Sequence, residues 1–178
     1  VPVSLMAALA VSSPYRMERL TAFLNPWADP FNSGFQLTQA LIAFGRGEWF
    51  GVGLGSSVQK LFYLPESHTD FLFAVLSEEL GFLGVCTVIA LYSVVFYRAT
   101  RIALQAEKCG NRFAAYVAYG IGIWLAMQAV INMGMVMGLM PVVGVPLPFI
   151  SYGGSSLLTT MICVGILLNI SMRRFMIE

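Results

Sequence analysis

Charge is scarce in this sequence. Lys and Arg number 10 and Asp and Glu 9, so 11% of the 178 residues are charged, against roughly 25% in an ordinary soluble domain. That shortage excludes a water-facing surface of the usual kind. The net charge of +1 also provides no basic field of the sort that attracts nucleic acid. Histidine occurs once and cysteine three times. Cys86 and Cys163 fall inside apolar runs and Cys109 in a polar connection, so neither a disulfide framework nor a metal-ligand spacing emerges. Each cysteine is expected as a small buried hydrophobe. The start lacks an initiator Met, and it lacks the basic flank and cleavage site of a signal peptide.

Apolar residues are what the chain has, at 58% with a mean hydropathy of +0.77. A helix crossing the hydrocarbon core needs about 20 mostly apolar residues, and residues 71–97, 113–140 and 155–172 approach or exceed that length. Residues 1–12 are too few to cross alone and read as the end of a truncated span. The expected fold is an all-α integral membrane protein. It is a polytopic helix bundle of about three complete spans and a partial one, with a large extracytoplasmic loop at residues 13–70. Orientation follows from basic residues, which stay on the cytoplasmic side. Arg98, Arg101, Lys108 and Arg112 crowd one short connection against the single acid Glu107, which makes that connection cytoplasmic. The crossings then alternate to leave Arg173 and Arg174 inside, and residues 13–70 and the uncharged 141–154 connection outside.

A connection longer than about 12 to 15 residues usually carries function or disorder. The outer segment is rich in aromatics, and Leu37, Leu41 and Phe44 recur at helical spacing. An interfacial amphipathic helix is therefore expected near residues 35–44, on the outer leaflet. Gly45, Gly47, Gly51, Gly53 and Gly55 should then break it into tight turns.

The candidate chemistry gathers where the outer loop enters the first complete span. Glu66, the lone His68, Thr69 and Asp70 stand together there. A helix beginning near Pro65 would line up Glu66, Asp70, Ala74 and Glu78 on one face. The other reading of Ser67 and Asp70 is a capping box at a helix start. Glu78 and Glu79 lie about two turns into the apolar run, where a carboxylate is costly unless it is paired or faces water. Gln128 and Asn132, four apart, suit interhelical hydrogen bonds better than substrate contacts. His68 could titrate near neutral pH, although a lone loop histidine is more often incidental. Lys60 and Arg46 are the bases able to meet an anionic headgroup from outside, and a solvated or lipid-facing role fits each as well. Residues 141–156 combine no charge with many Pro and Gly. Irregular apolar backbone near a membrane survives only when buried in protein or lining a wet cavity, so one reading is a re-entrant element. Gly153 and Gly154 would then let backbone approach a ligand. The other reading is a tight outer turn capped by Ser155 or Ser156.

Asn132, followed by Gly138-Leu139-Met140-Pro141 and then Gly144-Val145-Pro146-Leu147-Pro148-Phe149-Ile150-Ser151-Tyr152-Gly153-Gly154-Ser155-Ser156, resembles the C-terminal hallmark of the SEDS family (shape, elongation, division and sporulation). Arg16-Met17-Glu18-Arg19, Asn25-Pro26-Trp27 and Gly53-Leu54-Gly55 resemble its cell-division branch more than its elongation branch. The resemblance covers essentially the whole chain. It implies a longer polytopic protein, of which this chain would supply the last spans and the large outer loop. It also implies a peptidoglycan glycosyltransferase that polymerises lipid II with inversion at the donor sugar and release of undecaprenyl diphosphate. The family's essential aspartate, in its His-Thr-Asp-Phe stretch, maps onto Asp70. Lys60, Glu66, His68, Thr69, Glu78, Ser151, Gly153 and Gly154 are the substrate-binding candidates. A divalent Mg or Mn ion is a possible cofactor. The implied partners are lipid II, membrane lipid, a class B penicillin-binding transpeptidase and other division proteins, at the septum of a bacterial inner membrane. A lipid II transporter and a non-catalytic assembly scaffold are the competing expectations.

Overall fold

The computed structural model describes residues 23–29, 32, 34–57 and 69–174. Among these residues there is no strand, and four helices of eight residues or more follow one another: α1 (Phe35–Gly47), α2 (Leu72–Lys108), α3 (Arg112–Val136) and α4 (Gly154–Arg174). The last three are long and apolar enough to cross a membrane. The chain is thus an all-α bundle of the membrane class.

The hydropathy pattern ends the first complete span at residue 97, whereas α2 continues to Lys108. Helix-favouring residues and local pairing extend it. The Arg101 guanidinium donates to Tyr97 Oη at 3.0 Å and lies 5.6 Å from the ring centroid. Ala99 and Ala103, both buried, pack with Ala118 of α3 and Leu167 of α4. The basic connection therefore narrows to Cys109–Asn111, where the Asn111 side chain caps α3 by accepting from Ala114 N at 3.1 Å. At its other end α3 stops at Val136 instead of residue 140. Leu139 N reaches back to Gly134 O and Gly138 N to Met135 O, a Schellman ending with Gly138 at φ 74°.

Small residues set the closeness of the helices. Ala40 and Ala43 of α1 share a core with Phe73, Ala74, Val85 and Val88 of α2, Ala129 and Met133 of α3, and Leu147. The expected breaks at Gly45 and Gly47 do not occur, since both lie inside α1. Gly47 instead ends the stripe of small residues that brings α1 against α2, where a Cβ would meet Ser77 O at 2.0 Å. α1 is therefore an element packed into the protein along its Leu37, Ala40 and Ala43 face. Outward positions hold large apolar side chains such as Phe82, Leu91, Phe113 and Met161, as a lipid solvent permits. Cys86 and Cys109 are exposed and Cys163 half-buried. Contrary to the sequence expectation, none of the three fills the core described.

α2 is broken once. Gly81 has φ 65° and ψ −163°, a combination open essentially to glycine alone. The chain after α1 inserts into the break. Val52 N and Gly53 N donate to Glu78 O and Glu79 O, while Phe82 N and Leu83 N donate to Glu48 O and Trp49 O. Backbone groups that a continuous helix would pair internally are thus satisfied by an incoming segment, as buried backbone requires.

Candidate active site

Residues 141–147 have no regular structure and lead through a turn to α4. Leu147, Pro148 and Ser151 are buried. Pro141, Pro146 and Pro148 carry no N–H, so this apolar loop has few donors to satisfy. Its carbonyls still need partners, and side chains of the helices supply them. Gln128 Nε2 donates to Pro146 O at 3.1 Å, Asn132 Nδ2 to Val145 O at 2.5 Å, and Tyr92 Oη to Pro148 O. Gln128 lies eight residues before the end of α3 at Val136, which is about 12 Å of helix. The loop therefore doubles back along α3, and of the two sequence readings the re-entrant one holds. Ser155 and Ser156 sit inside the first turn of α4, which starts at Gly154, so neither is its cap.

Ser151 closes the loop on itself. Its hydroxyl accepts from Leu147 N at 2.9 Å, and its own N–H donates to Leu147 O at 3.1 Å. Gly153, half-buried, accepts from Leu157 N at 2.8 Å, and Gly154 is exposed.

Asp70 approaches this loop from the other side. α2 begins at Leu72 with Phe71 as its N-cap and no side-chain cap bond. Thr69 and Asp70 therefore lie in a half-buried turn ahead of the helix, and Asp70 does not share a helical stripe with Ala74 and Glu78. Within the described residues no capping box forms, and Ser67 lies outside them. The Asp70 carboxylate rests against the re-entrant loop: a Cβ at Gly144, whose φ is 66°, would stand 3.1 Å from Oδ2. Asn132 Nδ2 also donates to Asp70 O at 2.9 Å. The structure thus brings Asp70, Thr69 and the loop containing Ser151 to one end of the bundle.

Glu78 is elsewhere in character. It is 0% exposed, with Oε2 accepting from Ser57 Oγ at 2.5 Å and Oε1 at 3.6 Å from Arg46 Nη1. Its burial is thereby compensated by a hydroxyl and a half-exposed guanidinium, which ties α1 and the segment after it to α2. Lys60, Glu66 and His68 lie outside the described residues. Among those described, no three His, Cys, Asp or Glu side chains gather as a metal site would need. A cavity of about 220 Å³ lined by Gln105, Asn111, Phe113 and Asn169 sits at the α2–α3 connection, at the opposite end from Asp70.

Sequence reasoning missed Tyr92, Gly144 and Ser57. Tyr92 had a signal, a polar tip within an apolar run that must find a partner. Gln128 and Asn132 donate to carbonyls of the re-entrant loop and, for Asn132, of the Asp70 turn, rather than to a neighbouring helix. Among the described residues, Gln128 Oε1 and Asn132 Oδ1 are buried without a donor, an uncommon state for buried acceptors.

The family model described as "Cell cycle protein", which takes its name from FtsW, RodA and SpoVE, matches residues 1–175. The chain belongs to this family, the SEDS family. The SEDS chain is 62% identical over 165 residues to a Thioalkalivibrio sulfidiphilus protein named probable peptidoglycan glycosyltransferase FtsW, covering 93% of the chain and 41% of that relative. A Legionella pneumophila protein of the same name is 59% identical over 170 residues, covering 96% of the chain and 43% of the relative. The chain thus spans about two fifths of the length of the curated relatives it matches. Among solved structures, a peptidoglycan synthase complex described as coordinating polymerization and crosslinking gives a TM-score of 0.72 at 31% identity, covering 97% of this chain and 47% of the other. A mutant of Thermus thermophilus rod shape determining protein RodA gives 0.55 at 37% identity, covering 62% and 36%.

Proposed function

We propose that the whole protein is a membrane glycosyltransferase that polymerises lipid II into glycan strands, with Asp70 as its base. The supporting observation is the Asp70 carboxylate standing against Gly144 of the re-entrant loop. An α-linked sugar diphosphate that becomes a β-linked glycan must invert. Asp70 takes the proton of the acceptor's 4-hydroxyl, the freed oxygen pair bonds to the anomeric carbon, and undecaprenyl diphosphate leaves from the opposite face. A single carboxylate suffices for that step. The names of the FtsW relatives support the same chemistry.

The leaving diphosphate calls for positive charge. Lys60 or Arg46 could supply it, and a divalent Mg or Mn ion, where bound, would add to the same charge. Thr69, Ser151, Gly153 and Gly154, together with Lys60, Glu66 and His68, are the proposed substrate contacts, and Glu78 holds the surrounding frame. We assign the protein to the bacterial cytoplasmic membrane at the division septum, with residues 13–70 outside and the C-terminus inside. A class B penicillin-binding transpeptidase is its proposed partner, in keeping with the polymerizing and crosslinking complex among its structural relatives.

A transporter would use buried acids along a polar path. Glu78 is instead occupied by Ser57 and Arg46, which favours the enzyme. The test is purified whole protein given lipid II in detergent, without a gradient. Asp70→Asn should lower glycan synthesis by at least about 100-fold, the lower end of a general-base contribution, while membrane insertion is kept. Normal polymer from the mutant would overturn the reading.

A further inference from the structure

We infer that Asn132 is the positioning residue for Asp70, setting where the carboxylate stands over the re-entrant loop. This rests on the reading of Asp70 as the base. Asn132 sits one turn before the end of α3 and is 0% exposed, so it has no surface to offer a substrate. Its single NH₂ group has two hydrogens, and both are committed. One goes to Asp70 O at 2.9 Å, the other to Val145 O at 2.5 Å. The first acceptor is the backbone of the base itself, and the second belongs to the residue directly after Gly144. One planar amide on a rigid helix thus bridges the turn that carries the carboxylate and the loop it faces.

The spacing between carboxylate and loop is tight. A Cβ at Gly144 would be 3.1 Å from Asp70 Oδ2, so the carboxylate has little room to move in that direction. A misplacement of about 1 Å at a reacting group can cost about 100-fold in rate. Loss of the bridge frees the turn and the loop to shift by such an amount. Gln128 provides an internal comparison. One turn earlier on the same helix, it donates to Pro146 O at 3.1 Å, holding the same loop, and no hydrogen bond from it to the Asp70 turn is found among the described residues.

The experiment measures kcat and KM for lipid II polymerisation by the whole protein, using Asn132→Leu, Asn132→Ala and Gln128→Leu. Leucine keeps the branching and heavy-atom count of the Asn132 side chain and removes both donors. Asn132→Leu should lower kcat by about 100-fold with KM changed by less than about threefold, whereas Gln128→Leu should lower kcat by less than about fivefold, as expected for looser loop anchoring alone. Asn132→Ala removes both donors without adding bulk and should also lower kcat while KM holds, which keeps the test open should Asn132→Leu fold poorly. Near-native kcat in either Asn132→Leu or Asn132→Ala overturns the inference. So does a raised KM at constant kcat, which would make Asn132 a substrate ligand, or an equal kcat loss in Gln128→Leu. If Asp70→Asn stays active, the base reading fails and this one with it. If Asp70→Asn is inactive while Asn132→Leu runs at full rate, only the positioning role fails.

Discussion

Replacing Gly81 with alanine puts a methyl carbon 2.4 Å from Gly51 N and 2.7 Å from both Gly47 O and Phe50 N. All three neighbours are backbone atoms, so none can swing aside as a side chain would. The native φ of 65° and ψ of −163° add about 1–3 kcal/mol of strain for any residue with a Cβ. Relief requires the segment after α1 to leave the break in α2. Four hydrogen bonds then go: Val52 N to Glu78 O, Gly53 N to Glu79 O, Phe82 N to Glu48 O and Leu83 N to Trp49 O. A straightened α2 recovers two, because Glu78 O and Glu79 O are the i−4 acceptors for Phe82 N and Leu83 N. Two bonds at about 1 kcal/mol each, together with disturbed packing of Gly47 on Ser77, set the loss near 3 kcal/mol. The chain is about two fifths of its relatives' length, so at about 1–2 °C per kcal/mol for a whole protein of that size Tm should fall by about 3–6 °C. Thermal unfolding in detergent followed by tryptophan emission reads this directly, since the Trp49 ring lies 5.3 Å from that of Phe82 across the junction. Gly45→Ala is the control. It sits within α1 with nothing inside 4 Å of its added carbon, and should stabilise by about 0.5–1 kcal/mol. A Gly81→Ala protein whose Tm and emission match the native values would refute the account of the break.

Two further substitutions probe the frame around the site. Glu78→Ala strips Ser57 Oγ and Arg46 of their carboxylate partner and should cost about 3 kcal/mol, the lower end for a broken buried pair because Arg46 is half-exposed. Glu78→Gln, which still accepts from Ser57, should lose about 1 kcal/mol. Equal Tm values for the two variants would show that the charge and the acceptor do not matter separately. Tyr92→Phe removes the donor to Pro148 O and leaves a buried carbonyl unpaired, at about 1–3 kcal/mol. Unchanged thermal unfolding would mean that the re-entrant loop is not held from α2.

The long apolar runs made the three large helices legible, because transfer into a lipid solvent depends on composition summed along about 20 residues, with no need to know what each residue touches. The lack of charge and the abundance of proline in residues 141–156 likewise marked a re-entrant element as one of two readings. Asp70 stood out through its motif. Its setting did not, since a helix start near Pro65 and a turn before Leu72 are equally compatible with the local pattern. The break at Gly81 was hidden for a similar reason: a glycine inside an apolar helix looks ordinary until a segment from about 30 residues earlier enters and takes over its hydrogen bonds. Asn132, Gln128 and Tyr92 announced only that they needed partners. The partners are carbonyls between 13 and 62 residues away, three in the re-entrant loop and one in the Asp70 turn. Insertion of an apolar run is decided by composition summed along the chain, whereas the pairing of a buried polar group depends on which distant backbone reaches it, and only the tertiary structure decides that.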